Sequence, residues 1–76
     1  MKYYPTIKLP PREEEVARLI LKGYSAKRIA TILGISTRTV DQHVANINLR
    51  LGSKNRAHMA AHLLVRGLIT LTTNDL

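Results

Sequence analysis

Four glycines, at positions 23, 34, 52 and 67, punctuate this chain, each just past a run of apolar residues with helical spacing. Glycine readily takes the left-handed backbone that closes a helix, so four such stops commit the chain to four helices in series. The helix starts agree. Pro11 suits a first helical position, Ser25 and Ser36 offer N-cap hydroxyls, and Ser53 or Asn55 can cap a fourth helix running to about Arg66. The fold class predicted is all-α, with an extended arm over residues 1–8, a helical domain over 9–69 and a tail over 70–76. Pro5, Pro10 and Pro11 discourage helix in the arm, where Ile7 alternates with polar neighbours and can lie against the core.

The third segment, Ser36–Leu51, has two faces. Val40, Val44, Ile47 and Leu51 recur at offsets of four, seven and eleven, an apolar stripe of helical period. Its other side carries Arg38, Asp41, Gln42, Ala45 and Asn48, short or forked groups where a plain solvated face is usually rich in Glu and Lys. The second helix turns Ile29, Ala30 and Leu33 inward. It is separated from the third only by Gly34-Ile35-Ser36, and two short helices with so tight a turn describe a helix-turn-helix.

The first and fourth helices differ. In the first, Val16, Leu19 and Ile20 form the inward stripe. Glu13, Glu14 and Glu15 sit in the first turn, where the helix dipole favours negative charge, and that role accounts for them. In the fourth, seven of the eleven residues from Arg56 to Arg66 are apolar, too many for one inward stripe. The surplus, with small alanines that permit close approach, predicts a symmetric dimer seam through Ala57, Ala61, Leu64 and Val65. Beyond it, Gly67 ends the helix and Leu68-Ile69 fold back on the core.

Charge narrows the function. The chain carries 12 Lys and Arg against 5 Asp and Glu, a formal +7. From Ser25 to Arg56, six bases (Lys27, Arg28, Arg38, Arg50, Lys54, Arg56) face Asp41 alone, giving +5 of that +7. A polyanionic partner is expected, nucleic acid ahead of an anionic membrane surface. Lys27 and Arg28 occupy a helix first turn, the wrong end for the dipole, and a phosphate would explain them there. With 76 residues and no cysteine, neither disulfides nor a thiolate metal site can stabilise so small a core, which leaves oligomerisation or ligand binding. No signal peptide or membrane span is apparent, so a soluble, cytoplasmic protein is expected.

Catalytic constellations are missing. His58 and His62 have the i, i+4 spacing of a two-histidine zinc motif, but the intervening Met59, Ala60 and Ala61 lack its glutamate and no third ligand is apparent. A pH-sensitive contact at a dimer edge suits the pair better. His43 has no nucleophile to serve; it belongs at the core edge or against a phosphate. No enzyme, metal or cofactor is expected.

Many residues in register resemble the LuxR-type (LuxR/FixJ/GerE) DNA-binding domain. They are Leu9, Arg12-Glu13, Glu15-Val16, Gly23-Tyr24-Ser25, Lys27, Ile29-Ala30, Leu33-Gly34-Ile35-Ser36, Thr39-Val40, His43, Asn46-Ile47, Leu51-Gly52, Asn55-Arg56 and Gly67-Leu68-Ile69. The resemblance implies a four-helix domain that binds double-stranded DNA as a homodimer and regulates transcription. The third helix, about 37–51, would enter the major groove and the fourth would form the dimer contact. Positions 41, 42 and 45 would face bases and Thr39 a phosphate. Three residues depart from the family pattern: Pro10 stands where Thr is common, Arg28 where Glu is common, and Asp41 where a base is frequent. No receiver or ligand-binding domain accompanies the domain here, as in stand-alone regulators of the GerE kind or a fragment of a larger one.

The expected division of labour follows. Lys27, Arg28, Ser36, Thr39 and Arg50 grip phosphates, with Lys54 and Arg56 extending that grip. Arg38 is suited to guanine, Gln42 to adenine, Ala45 to a thymine methyl, and Asp41 either accepts from cytosine or orients Arg38. The competing expectation is a small helical adaptor that binds another regulator or RNA polymerase.

Overall fold

The computed structural model describes residues 9–65, which form four helices and no strand: α1 Pro11–Leu21, α2 Ala26–Leu33, α3 Thr37–Leu51 and α4 Arg56–Val65. The expected arm, the packing of Ile7, the stop at Gly67, the fold-back of Leu68-Ile69 and the tail lie outside the described residues.

Local chemistry sets the boundaries. Ser25 Oγ accepts from the Arg28 N–H at 3.2 Å and Ser36 Oγ from the Thr39 N–H at 3.0 Å, satisfying donors that a helix start leaves unpaired. At α4 the cap is Asn55, whose Oδ1 accepts from the His58 N–H at 2.9 Å. Ser53, the other candidate, instead donates its hydroxyl to Asn48 Oδ1 at 2.6 Å. α1 has Pro11 at its first position and no side-chain cap at Pro10, as the absence of a hydroxyl there requires.

The ends of α1, α2 and α3 share one device. The Tyr24 N–H donates to Leu19 C=O, Ile35 to Ala30 and Ser53 to Asn48, each a six-residue closure that wraps the chain over the last turn. Such a closure needs a left-handed residue at its corner. Gly34 and Gly52 supply it with φ of 67° and 68°. The first of these makes the turn between α2 and α3 short enough for Ile35 to return to the interior, where it packs against the buried cluster.

One core holds the helices together. α1 contributes Val16, Ala17 and Ile20; α2 Ile29 and Ala30; α3 Val40, Ile47 and Leu51; α4 Met59 and Leu63; and Leu9 closes it from the approach to α1. α3 packs against both α1 and α2, so its orientation is fixed from two sides. Val44 and Leu33, expected inside, are half-buried at the core margin.

The inward face of α1 adds to an expectation. Glu13 is in the first turn, as expected, but the dipole does not account for it fully: it is buried at 6% exposure and lies on one line with Val16, Ala17 and Ile20. The spacing of three, four and seven turns position 13 inward. Glu14 and Glu15 stay on the outer side, within 3.5 Å of Arg18 and 3.4 Å of Arg12.

Candidate nucleic-acid interface

α3 presents the candidate reading surface because its opposite side is anchored. Val40 and Ile47 have no exposed surface and Leu51 almost none, which turns Arg38, Asp41, Gln42 and Ala45 outward; all four are exposed. Among the described residues the side chains of Arg38 and Asp41 share no ion pair or hydrogen bond. Asn48 departs from the expected face. It is half-buried on the flank of α3, with its amide oxygen taken by Ser53. At 100° per residue Asn48 lies well round the helix from Gln42, a displacement that the sequence spacing already contained.

The residue that does continue the outward line is Leu49, unremarked in the sequence. Arg38, Gln42, Ala45 and Leu49 stand at offsets of four, seven and eleven, and Leu49 is 83% exposed.

Two helix starts carry exposed polar groups. Lys27 and Arg28 are exposed in the first turn of α2, where free backbone N–H groups and the dipole attract an anion. At the start of α3, Ser36 Oγ and Thr39 Oγ1 lie 2.8 Å apart. Two hydroxyls carry two hydrogens and their mutual bond uses one. Whichever donates, one O–H remains for an outside acceptor such as a phosphate oxygen.

Arg50 and Arg56, grouped with the phosphate-gripping bases by charge alone, have partners within the chain. Arg50 Nε donates to Glu13 Oε1 at 3.0 Å, while its side chain stays 47% exposed. The buried carboxylate thereby ties α1 to the end of α3, and the terminal guanidinium nitrogens make no further bond among the described residues. His43 Nδ1 lies 3.9 Å from the other Glu13 oxygen, too far for a hydrogen bond, and has no hydrogen-bond partner. Arg56 Nη2 donates to the Tyr24 carbonyl at 2.6 Å, tying the start of α4 to the turn between α1 and α2.

On α4, the expected seam residues Ala57, Ala61, Leu64 and Val65 are all exposed, Leu64 at 48% and Val65 at 65%. His58 and His62 meet edge to face with Nε2 atoms 3.0 Å apart. The Lys54 N–H donates to His58 Nδ1 at 3.1 Å, so a neutral His58 carries its proton on Nε2 and donates it to His62. That arrangement leaves His58 no lone pair for a metal. Among the described residues no third His, Cys, Asp or Glu joins the pair in a metal-holding group.

Comparison with known proteins decides the family. The GerE family model, described as bacterial regulatory proteins of the luxR family, matches residues 8–63. The chain belongs to the luxR family of bacterial regulatory proteins. It is 43% identical over 58 residues to the transcriptional activator protein BjaR1 of Bradyrhizobium diazoefficiens, covering 76% of this chain and 24% of that protein. It is 38% identical over 61 residues to the oxygen regulatory protein NreC of Staphylococcus aureus, covering 80% of this chain and 28% of that one. Among solved structures it superposes with a TM-score of 0.79 and 35% identity on a Vibrio cholerae VqmA dimer determined without target DNA, over 83% of this chain and 28% of that chain. With a VqmA–ligand–DNA complex the TM-score is 0.81 at 30% identity, over 100% of this chain and 33% of that one. The fold is therefore that of LuxR-type DNA-binding domains, and the chain spans about a quarter to a third of these relatives. The family is one of transcriptional regulators and not of enzymes. Among the described residues no helix is long and apolar enough to cross a membrane.

Proposed function

We propose that this chain is a sequence-specific DNA-binding unit that acts as a homodimer on a pseudo-palindromic site, with α3 in the major groove. The observation that carries the proposal is the outward line on α3, held in place by the buried line behind it, together with the exposed bases in the first turn of α2. Gln42 is suited to a bidentate contact with adenine, Arg38 to guanine, Asp41 to the cytosine amino group and Ala45 to a thymine methyl. Lys27, Arg28, the Ser36–Thr39 hydroxyl pair and the outer nitrogens of Arg50 hold phosphates and set the register. Arg56, bound to the Tyr24 carbonyl, and Lys54 extend that grip less directly.

The apolar face of α4 supports a two-fold seam through Ala57, Ala61, Leu64 and Val65, which places half-sites about one helical turn, roughly 34 Å, apart. Leu64→Asp is expected to sediment as a monomer; an unchanged dimer mass sinks the seam. The same exposed leucine and valine favour a second reading, in which α4 docks on another regulator or on RNA polymerase as an adaptor. Motif enrichment from random DNA, with binding measured at several salt concentrations, separates the two. A DNA reader enriches one motif and shows a steep negative salt slope, whereas an adaptor shows neither.

A further inference from the structure

We propose that Leu49 completes the reading face by making an apolar contact with the C5-methyl group of a thymine. This inference rests on the DNA-binding reading of α3 and adds a specificity-determining residue to it.

A single exposed leucine is ordinary on a protein surface. Leu49 is set apart by its register and its degree of exposure. At 83% it is the most exposed large hydrophobic residue among those described, ahead of Val65 at 65%. It stands four residues after Ala45 and seven after Gln42, so the helix carries it to the same side as both. Its counterpart two residues on, Leu51, ends the buried line at 2% exposure, so α3 closes both of its faces with leucine and the core uses only one of them.

The length fits a groove. Eleven residues of helix from Arg38 to Leu49 rise about 16 Å, close to five base-pair steps of roughly 3.4 Å. A side chain at the far end can therefore meet a base that Arg38 and Gln42 do not reach. Leucine has no donor or acceptor, and the apolar feature that a base pair offers in the major groove is the thymine methyl. A partner of that chemistry gains from meeting a hydrophobe in surroundings otherwise made of arginine, glutamine and phosphate.

The test removes one methyl at a time. The full chain first selects its site from random DNA; each thymine of that site is then replaced singly by deoxyuridine, which pairs identically but lacks the methyl. Wild type and Leu49→Ala are titrated against every probe. Alanine is a good helix former at an exposed position, and circular dichroism checks that the fold is retained. The expected result is one thymine per half-site at which deoxyuridine weakens wild type about fourfold, from one lost methyl contact, and Leu49→Ala not at all. A thymine facing Ala45 should stay sensitive in both proteins. The proposal is overturned if every deoxyuridine probe affects the two proteins alike, or if Leu49→Ala binds the intact site as tightly as wild type. A wild type that selects no site overturns the DNA-reading proposal itself, an outcome distinct from an established site that ignores Leu49.

Discussion

α3 carries two lines of residues with identical spacing and opposite fates. Val40, Val44, Ile47 and Leu51 run along one side; Arg38, Gln42, Ala45 and Leu49 run along the other, at the same offsets of four, seven and eleven. The first line is packed between α1 and α2 and holds the helix still, while the second is exposed along its whole length. Periodicity alone makes either line a candidate for burial. The difference lies in what each line can do without water: branched aliphatics give up no hydrogen bonds on burial, whereas a guanidinium and an amide lose theirs unless a partner replaces them. A rigid inner line is also what makes the outer line usable, because a reading surface needs its groups held in one orientation.

Substitutions on the two lines should separate stability from recognition. The largest effect belongs to the inner line. Ile47→Ala removes a fully buried side chain and should lower unfolding free energy by about 2–5 kcal/mol, read by urea denaturation. A loss under about 1 kcal/mol would mean that the inner line does not anchor α3. On the outer line, Gln42→Ala should leave that denaturation midpoint almost unmoved. It should weaken specific binding by roughly 1–3 kcal/mol and relax preference at one base pair. Equal losses on specific and random DNA would break the contrast.

Two further variants test what lies between the lines. Glu13→Gln keeps the shape of the buried side chain but removes the charge that faces Arg50. With Arg50 half exposed, about 1 kcal/mol of stability should be lost in thermal unfolding. An unchanged midpoint would show that the α1–α3 tie is not electrostatic. A small gain in folding stability is expected at Arg28→Ala. Removing a base from the positive end of α2 should raise stability by a few tenths of a kcal/mol. The same change should weaken binding to all sequences and make the salt slope shallower by about one. Loss of stability instead would mean that Arg28 serves the fold.

Much of the fold is legible in the sequence because its signals are short-ranged. Ser25, Ser36 and the glycines at 34 and 52 act on backbone groups within five residues, so their roles follow from position. The outward placement of Arg38, Asp41, Gln42 and Ala45 follows from the apolar spacing behind them. The choice of Asn55 over Ser53 as the cap of α4 does not, since either side chain suits the role until Asn48 claims the serine. Polarity alone groups Asn48 with the outer face, whereas its angle round the helix puts it on the flank. Leu49 gives no outward signal of its own, because a leucine in an amphipathic helix reads as core.

The sequence by itself determined where α1, α2 and α3 begin and end and which face of each is apolar, because capping and periodicity are settled within a turn or two of backbone. Only the tertiary structure decided which charges serve the fold. Glu13 meets Arg50 across 37 residues, and Arg56 meets the Tyr24 carbonyl across 32. No local pattern marks such pairs, because they form only once hydrophobic packing has brought distant helices together.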